Sequence, residues 1–400
     1  MQQVHKAAVG SSLFVDQHLC ILQSDRNEMP SNVLSFAAAA ALLSGAAQAQ
    51  YLNTTSGPGY ISYSTVTGYF LQDEPDTVAS GFDYTAFNFG LMNQTYPGAS
   101  GNGTQWQRFT QIVNSLNANA GLDTVYKVLF MGRHGEGFHN AAESFFGTGA
   151  WNCYWSELDG NGTTTWADAD LTENGIIQAQ IANNYWQRQI ANEHVPYPQS
   201  YYTSPLTRCL RTANITFSDL DLPHYYPFVP TVKELLREGI STHTCDRRHS
   251  KSYIQDLFPN YEIESGFTEN DELWSGVVAE PSGAQDARSK RVLDDVFASD
   301  DHTWVSITSH SGEIRSLLRV LGHREFSLGT GAVIPVLVKA QFLPAEDKPS
   351  TSVPAFTSTD FCTNGPPITS VATSSPGCVC SSGAGNSTGI ASATAVPTSY

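Results

Sequence analysis

Basic residues are scarce in this sequence. Twenty-one Lys and Arg stand against 38 Asp and Glu, a formal net charge of −17 over 400 residues. Such a charge balance repels phosphodiester backbones and anionic headgroups, which excludes nucleic acid and acidic membranes as main partners. A small anion is still admissible, because a local cluster of Arg and His can oppose the global field. A membrane span is missing too. The Ala-rich run Val33 to Ala47 has 15 residues, fewer than the roughly 20 that a spanning helix needs. Metal-ligand spacing is also lacking. His243, Cys245, Asp246 and His249 in "STHTCDRRHS" follow no common zinc pattern, so neither a metal nor another cofactor is expected. Apolar residues make up 40% of the chain, enough for one large domain or two small ones.

The ends differ from the middle. Val33 to Ala47 leads into Ala47-Gln48-Ala49, a small-x-small cleavage pattern of a secretory signal. Acidic Asp16, Asp25 and Glu28 precede it, which does not suit a signal's start. Met29 is the natural beginning, so residues 1–28 read as an extension foreign to the natural product and 29–49 as the signal. Asn-x-Ser/Thr sites at Asn53, Asn93, Asn102, Asn161, Asn214 and Asn386 fit an extracellular glycoprotein, although Asn214 falls in a helical pattern. Cleavage removes Cys20 from the seven cysteines and leaves an even number, as an oxidising compartment favours. Residues 346–400 are dominated by Ser, Thr, Pro, Gly and Ala. Such a tail cannot bury enough apolar surface to order itself. It reads as O-glycosylated, suited to association with a cell wall, with Cys362, Cys378 and Cys380 available for a small local staple.

Residues 50–345 form the compact unit. Strand-like runs occur at Val125 to Met131, Ser200 to Thr203, Trp304 to Thr308 and Ala332 to Ala340. Helical patterns alternate with them. Thr172 is a candidate N-cap, followed by Ile177, Ile181 and Tyr185 along one face. Ser204-Pro205 is a second start, Ser as N-cap and Pro at the first helical position. Alternation predicts an α/β fold with a mostly parallel sheet. Three polar clusters directly follow three of the strand-like runs: Arg133-His134-Gly135, "TSPLTRCLRTA" with Arg208, and "VSITSHSGEIRSLL" with His310. Ligands of open α/β sheets bind beyond the carboxyl ends of strands. Two Arg and two His, one Arg in a helix's first turn, suit a phosphate group.

These segments resemble the histidine phosphatase superfamily, in its phosphoglycerate mutase-like branch. "RHGEGFHN" is similar to the family signature, and "LTENGIIQA", "SPLTRCLRTA", "LLREG" and "SHSGEIRSLL" follow in the family's order. "GYFLQDEP", "WNCYWSELDGNG", "WADADLTENG" and "HTCDRR" narrow the resemblance to a fungal subgroup of phosphomutase-like proteins and broad-specificity phosphatases. The acid phosphatase and phytase branch has an Arg and a Pro soon after Arg-His-Gly and a later His-Asp pair. Gly137-Phe138 and His310-Ser311 depart from that here.

The resemblance implies a three-layer α/β/α sandwich and assigns roles. His134 is the nucleophile that forms a phosphohistidine. Arg133, Arg208 and His310 bind the phosphate oxygens. Asn140 is the pocket asparagine, Gly135 lets the backbone approach the ligand, and Glu238 is the general acid and then base. Glu136, Glu234 and Asp246 are alternatives for the acid. Glu136 otherwise fixes its loop. His139 either stacks on substrate or packs, and Arg247 and Arg248 either touch the far end of a substrate or are solvated. Ser309 and Ser311 flank His310 without a nucleophile-elbow pattern. Three functions follow: a secreted phosphatase acting on small phosphate monoesters, a phosphoglycerate-type mutase, or a non-catalytic surface protein. A nucleophile and an acid count against the third, and a cleaved signal favours water as acceptor over an intracellular metabolite.

Overall fold

The computed structural model describes residues 59–97, 101–345, 352–366, 378 and 380. The extension 1–28, the signal 29–49 and most of the tail lie outside the described residues.

The opaque apolar run after Thr124 becomes β2 (Thr124–Arg133), central in a sheet that also holds β1 (Tyr60–Thr65), β3 (Ser200–Thr203), β4 (Thr231–Val232), β5 (Glu262–Ile263), β7 (Trp304–Ser309) and β8 (Val333–Leu343). The order is β1-β8-β2-β7-β3-β4-β5. The pairs β2/β7, β7/β3, β3/β4 and β4/β5 are parallel, whereas β8 runs antiparallel to both β2 and β1. The sheet is thus mostly parallel with one antiparallel strand, β8, set between β1 and β2.

Successive side chains of a strand point to opposite faces, and β2 supplies both layers. Leu129 and Met131 pack with Val292, Phe297, Ile314 and Leu317 of α7 (Ser282–Ser299) and α8 (Ser311–Val320). Val128 and Phe130 enter an aromatic core with Trp106 and Phe109 of α1 (Gln105–Ala118) and Tyr185 and Trp186 of α4 (Glu173–Arg188). Helices cover both faces, giving the expected α/β/α sandwich.

Two local expectations change. Thr172 does cap α4, its hydroxyl accepting from Gly175 N at 3.1 Å. The buried face, however, is Gly175, Ala179, Ala182, Asn183, Tyr185 and Trp186, while Ile177 and Ile181 are about half exposed. Small residues let α4 pack closely on α5 (Thr207–Phe217), and that contact overrides the Ile spacing. Ser204 is not the cap of α5. That helix starts at Thr207, and Asp168 Oδ1 takes the Thr207 N–H at 2.8 Å. Asn214 lies within α5, whereas Asn93, Asn102 and Asn161 are exposed.

The tail is in part built into the domain. β9 (Thr357–Ser358) pairs antiparallel with β6 (Val278–Ala279). Cys362 N donates to Cys153 O at 2.8 Å, at the end of α3 (Thr148–Cys153). The disulfides are Cys153–Cys378 and Cys362–Cys380. Only the second is the local staple the sequence suggested. The first closes across 225 residues and ties the tail to the body. A chain ending after residue 348 loses β9 and both bridges. We expect it, like Cys153→Ser, to unfold more easily by about 2–4 kcal/mol, read from denaturant melts. An unchanged melt would show the strap to be energetically idle.

Candidate active site

The register of three adjacent strands assembles the site. Arg133 lies opposite Ser309 across β2/β7, and Thr203 opposite Thr308 across β7/β3. The residues that follow, His134 and His310, therefore leave the sheet at one level, with Ser204 one residue lower. With strands about 4.8 Å apart, they emerge within about two strand spacings. His134 N donates to Ser309 O at 3.0 Å, and Ser204 N to Thr308 O at 3.0 Å.

His134 is 1% exposed and His310 fully buried. Their ring centres are 5.1 Å apart and edge-on. His134 Nδ1 sits 2.7 Å from Gly135 O, a pure acceptor, so Nδ1 carries the hydrogen. Nε2 is then the nitrogen with the free lone pair. His310 Nε2 lies 2.7 Å from Ser204 Oγ. The Cys209 thiol is 3.4 Å from the same nitrogen, and burial pushes its proton affinity up, leaving it a neutral packing group.

The loop after β2 needs its glycines. A Cβ on Gly135 would stand 2.3 Å from Gly175 O, and one on Gly175 would stand 2.0 Å from Glu136 O. Gly135 N donates to Thr212 Oγ1 at 3.0 Å, which links the loop to α5. Glu136 fixes the loop from the other side. Its N–H reaches Gln178 Oε1 at 2.7 Å, and its carboxylate takes Thr172 Oγ1 at 2.7 Å and Asn174 Nδ2 at 3.2 Å. Asn140 Oδ1 accepts Gly137 N at 3.0 Å at the start of α2 (Phe138–Phe146).

Two guanidinium groups complete the cluster. Arg133 Nη1 donates to Leu328 O at 2.8 Å, and Arg208 Nη1 to Cys245 O at 2.7 Å. Their Nε atoms are buried without a hydrogen-bond partner, as is His139 Nδ1. Buried donors of charged groups rarely go unmatched, so these positions fit an anion. His139 is buried with its ring 5.4 Å from that of His134, which puts it inside the cluster rather than in a separate core.

Glu238 reaches the cluster through α8. Its carboxylate accepts Gly312 N at 3.1 Å, Glu313 N at 2.9 Å and Gly239 N at 2.9 Å. A Cβ at Gly312 would stand 2.3 Å from Glu238 Oε1, so the approach depends on that glycine. Burial lowers the Arg133 guanidinium, and the Glu238 carboxylate opposes that shift. Two of the three rival carboxylates are engaged elsewhere. Glu234 pairs with Arg237 at 2.9 Å and Arg248 at 2.7 Å, and Glu136 serves the loop. Arg248 is buried in that network, and Arg247 pairs with Asp159 at 2.8 Å.

His243, Cys245 and Asp246 offer ligand atoms within 4.8 Å of one another. His249 is held apart by Asp168, 2.5 Å from its Nδ1. The Arg208 guanidinium lies 3.7 Å from Asp246, Ser241 Oγ donates to Asp246 at 2.5 Å, and burial pushes the Cys245 thiol up. A dication there would face an existing cation, so this trio does not fit a metal.

Residues 129–332 match the histidine phosphatase superfamily (branch 1), and the chain belongs to that family. Among relatives, it is 54% identical to a "probable phosphoglycerate mutase" of Arthroderma benhamiae, over 70% of this chain and 85% of that protein. It is 39% identical to "phosphomutase-like protein 3" of Candida albicans, over 71% of this chain and 81% of that protein.

Sequence reasoning missed Ser204 as the partner of His310, Asp168 as the cap of α5, and the Gly135/Gly175 and Glu238/Gly312 contacts. Each residue stands inside a quoted motif, but only packing reveals its partner.

Burial, then Arg208 and Arg133, push the His134 imidazole well below its usual range. His310 and His139 are lowered by burial and by the same cations. His249 is raised, first by its hydrogen bond to Asp168. A lowered imidazole contributes stability that is present above the unfolded value of about 6.5 and is lost as pH falls through the folded value. The raised His249 acts oppositely, its contribution lost as pH rises through its folded value. In ring-nitrogen NMR at pH 5.5 we expect His134, His139 and His310 to be neutral and His249 charged. Charged His134 at that pH would refute the assigned electrostatics.

Proposed function

We propose that the chain is an extracellular phosphatase that hydrolyses small phosphate monoesters through a phosphohistidine. One observation carries the reading. The free Nε2 of His134 lies in a buried cluster where Arg133 Nε and Arg208 Nε lack partners, matching a nucleophile facing a phosphoryl group. Family membership supports the same chemistry.

In this reading Arg133, Arg208 and His310 hold the phosphate oxygens, with Asn140 shaping the loop and Gly135 admitting the ligand to the backbone. His134 Nε2 attacks phosphorus in line, and the P–O ester bond breaks. Glu238 is the acid toward the departing oxygen. Water then attacks the phosphohistidine, Glu238 takes a proton from it, and the P–N bond breaks. Phosphate leaves and the enzyme is restored.

Extracellular action is supported by the cleavage pattern at Ala47-Gln48-Ala49, by exposed Asn93, Asn102 and Asn161, and by the two disulfides. Cell-wall association through the tail belongs to the same proposal. The relatives' names favour a second reading, a phosphomutase that returns the phosphoryl group to an organic acceptor. Phosphate transfer to added sugar phosphate or glycerate phosphate, scored against release to water, separates the two.

His134→Ala is expected to lower turnover of nitrophenyl phosphate by more than a hundredfold with the fold intact, since losing a covalent path typically removes several decades. Wild type should yield an acid-labile, alkali-stable phosphoenzyme on rapid quenching. A variant with more than about a hundredth of the wild-type rate would take the nucleophile role from His134.

Glu238→Gln tests the acid. An alkoxide leaves badly unless protonated, whereas nitrophenolate leaves unaided. In the phosphorylation step, alkyl esters should slow by roughly a hundred- to ten-thousand-fold and nitrophenyl phosphate far less. Equal slowing of both in burst kinetics would move the acid to another carboxylate, Asp246 first.

A further inference from the structure

The acid of the proposed reaction stands on a stretch that no regular element holds. A short 3₁₀ turn, Glu234–Leu236, ends before it, and no strand or helix includes Arg237, Glu238 or Gly239. The carbonyls of such a stretch must find partners outside a backbone ladder. Those of residues 235–238 converge on two side chains. Arg288 Nη1 donates to Leu235 O at 2.7 Å and to Arg237 O at 3.0 Å, and Arg288 Nη2 donates to Glu238 O at 3.2 Å. Leu236 O takes the hydroxyl of Ser309, the neighbour of His310, at 2.7 Å.

Arg288 lies on α7 and is buried. Glu280 accepts its Nε at 3.0 Å and its Nη2 at 2.9 Å. The same Glu280 carboxylate accepts Ile240 N at 3.2 Å, and Glu280 N donates to Ile240 O at 2.7 Å. A guanidinium has five N–H donors, and these contacts use all of them. Nη1 also lies 3.1 Å from Glu313 Oε2. Glu313 is fully buried, with its carboxylate fixed by Ser289 Oγ at 2.7 Å and Gln285 Nε2 at 3.2 Å. Its N–H donates to Glu238 Oε1 at 2.9 Å. One guanidinium thus holds the main chain of Glu238 and is paired with a residue that holds the Glu238 carboxylate.

A buried cation between two buried carboxylates gains little net stability over apolar packing. What it holds is therefore the better guide to its use. We infer that Arg288 is a positioning residue for the acid: it fixes the backbone of residues 235–238 and thereby keeps the Glu238 carboxylate on the first turn of α8, two residues from His310. The inference rests on the phosphatase reading, with Glu238 as its acid.

Arg288→Lys tests it. Lysine keeps the charge, but three donors on a flexible stem cannot serve three carbonyls and Glu280 together. Rapid-quench rates of the phosphorylation step are compared for ethyl phosphate and nitrophenyl phosphate. Ethyl phosphate should slow by about tenfold or more and nitrophenyl phosphate by less than about threefold, because only the poor leaving group needs the acid. Added to Glu238→Gln, the same substitution should slow ethyl phosphate by less than about a further twofold, since nothing is left to position. Equal slowing of both esters, or the same loss with and without Glu238, would overturn the inference.

Amide hydrogen exchange on the full chain reads the position without turnover. Gly312 N and Glu313 N donate to Glu238, whereas Ile314 N donates to His310 O at 2.8 Å. In Arg288→Lys the first two should exchange about tenfold faster or more while Ile314 keeps its rate. Unchanged exchange at both, or equal acceleration at Ile314, would overturn the inference as well. If Arg288→Lys does not fold, Glu280→Gln, which frees one side of the guanidinium, replaces it in every arm with the same expected signs. If wild type turns over no ester, the phosphatase reading falls, and if Glu238→Gln slows both esters equally, the acid reading falls. In either case the exchange at Gly312 and Glu313 alone decides whether Arg288 holds Glu238.

Discussion

Arg133 stands opposite Ser309, and Thr203 opposite Thr308, in three neighbouring parallel strands. Everything chemical in this protein depends on that register. A shift by one residue would turn each strand's side chains to the other face and scatter His134, Ser204 and His310. The register is secured by two cores at once, because Val128 and Phe130 are committed to one layer and Leu129 and Met131 to the other. A site that draws on residues more than 170 positions apart, from Arg133 to His310, is thereby held by the most deeply packed part of the domain.

Burial then shapes the electrostatics. Two guanidinium groups beside imidazoles in a dry setting would be unfavourable if the imidazoles were charged. The balance is struck by keeping the three histidines neutral, with Glu238 beside Arg133 and Asp246 near Arg208. The result is a neutral nucleophile within a positive local field, inside a chain whose formal net charge is −17. The global charge thus says little about what this pocket attracts.

The disulfide-tethered strap has a comparable logic. Its polar composition cannot order it unaided, yet β9 and the bridge to Cys153 fasten part of it to the domain. Cys153 follows the loop and helices that continue from the signature, so the strap braces the edge of the region that carries the site.

The amino-acid sequence by itself determined the chemistry on offer. Arg133-His134-Gly135, Arg208 and His310 are recognisable because reactive side chains follow apolar strand runs in a fixed order, and both properties are local in the chain, whereas Glu238 is reached only through the family resemblance. The mostly parallel sheet was legible for the same reason, through runs such as Val125 to Met131. Tertiary structure decided what depends on neighbours distant in sequence. It turned Ile177 and Ile181 outward because small residues let α4 approach α5, gave Ser204 to His310, and placed Gly175 against Gly135. It paired Cys378 with Cys153 rather than within the tail. None of these can be read from composition or period, because each is fixed by which surfaces meet once the sheet has closed.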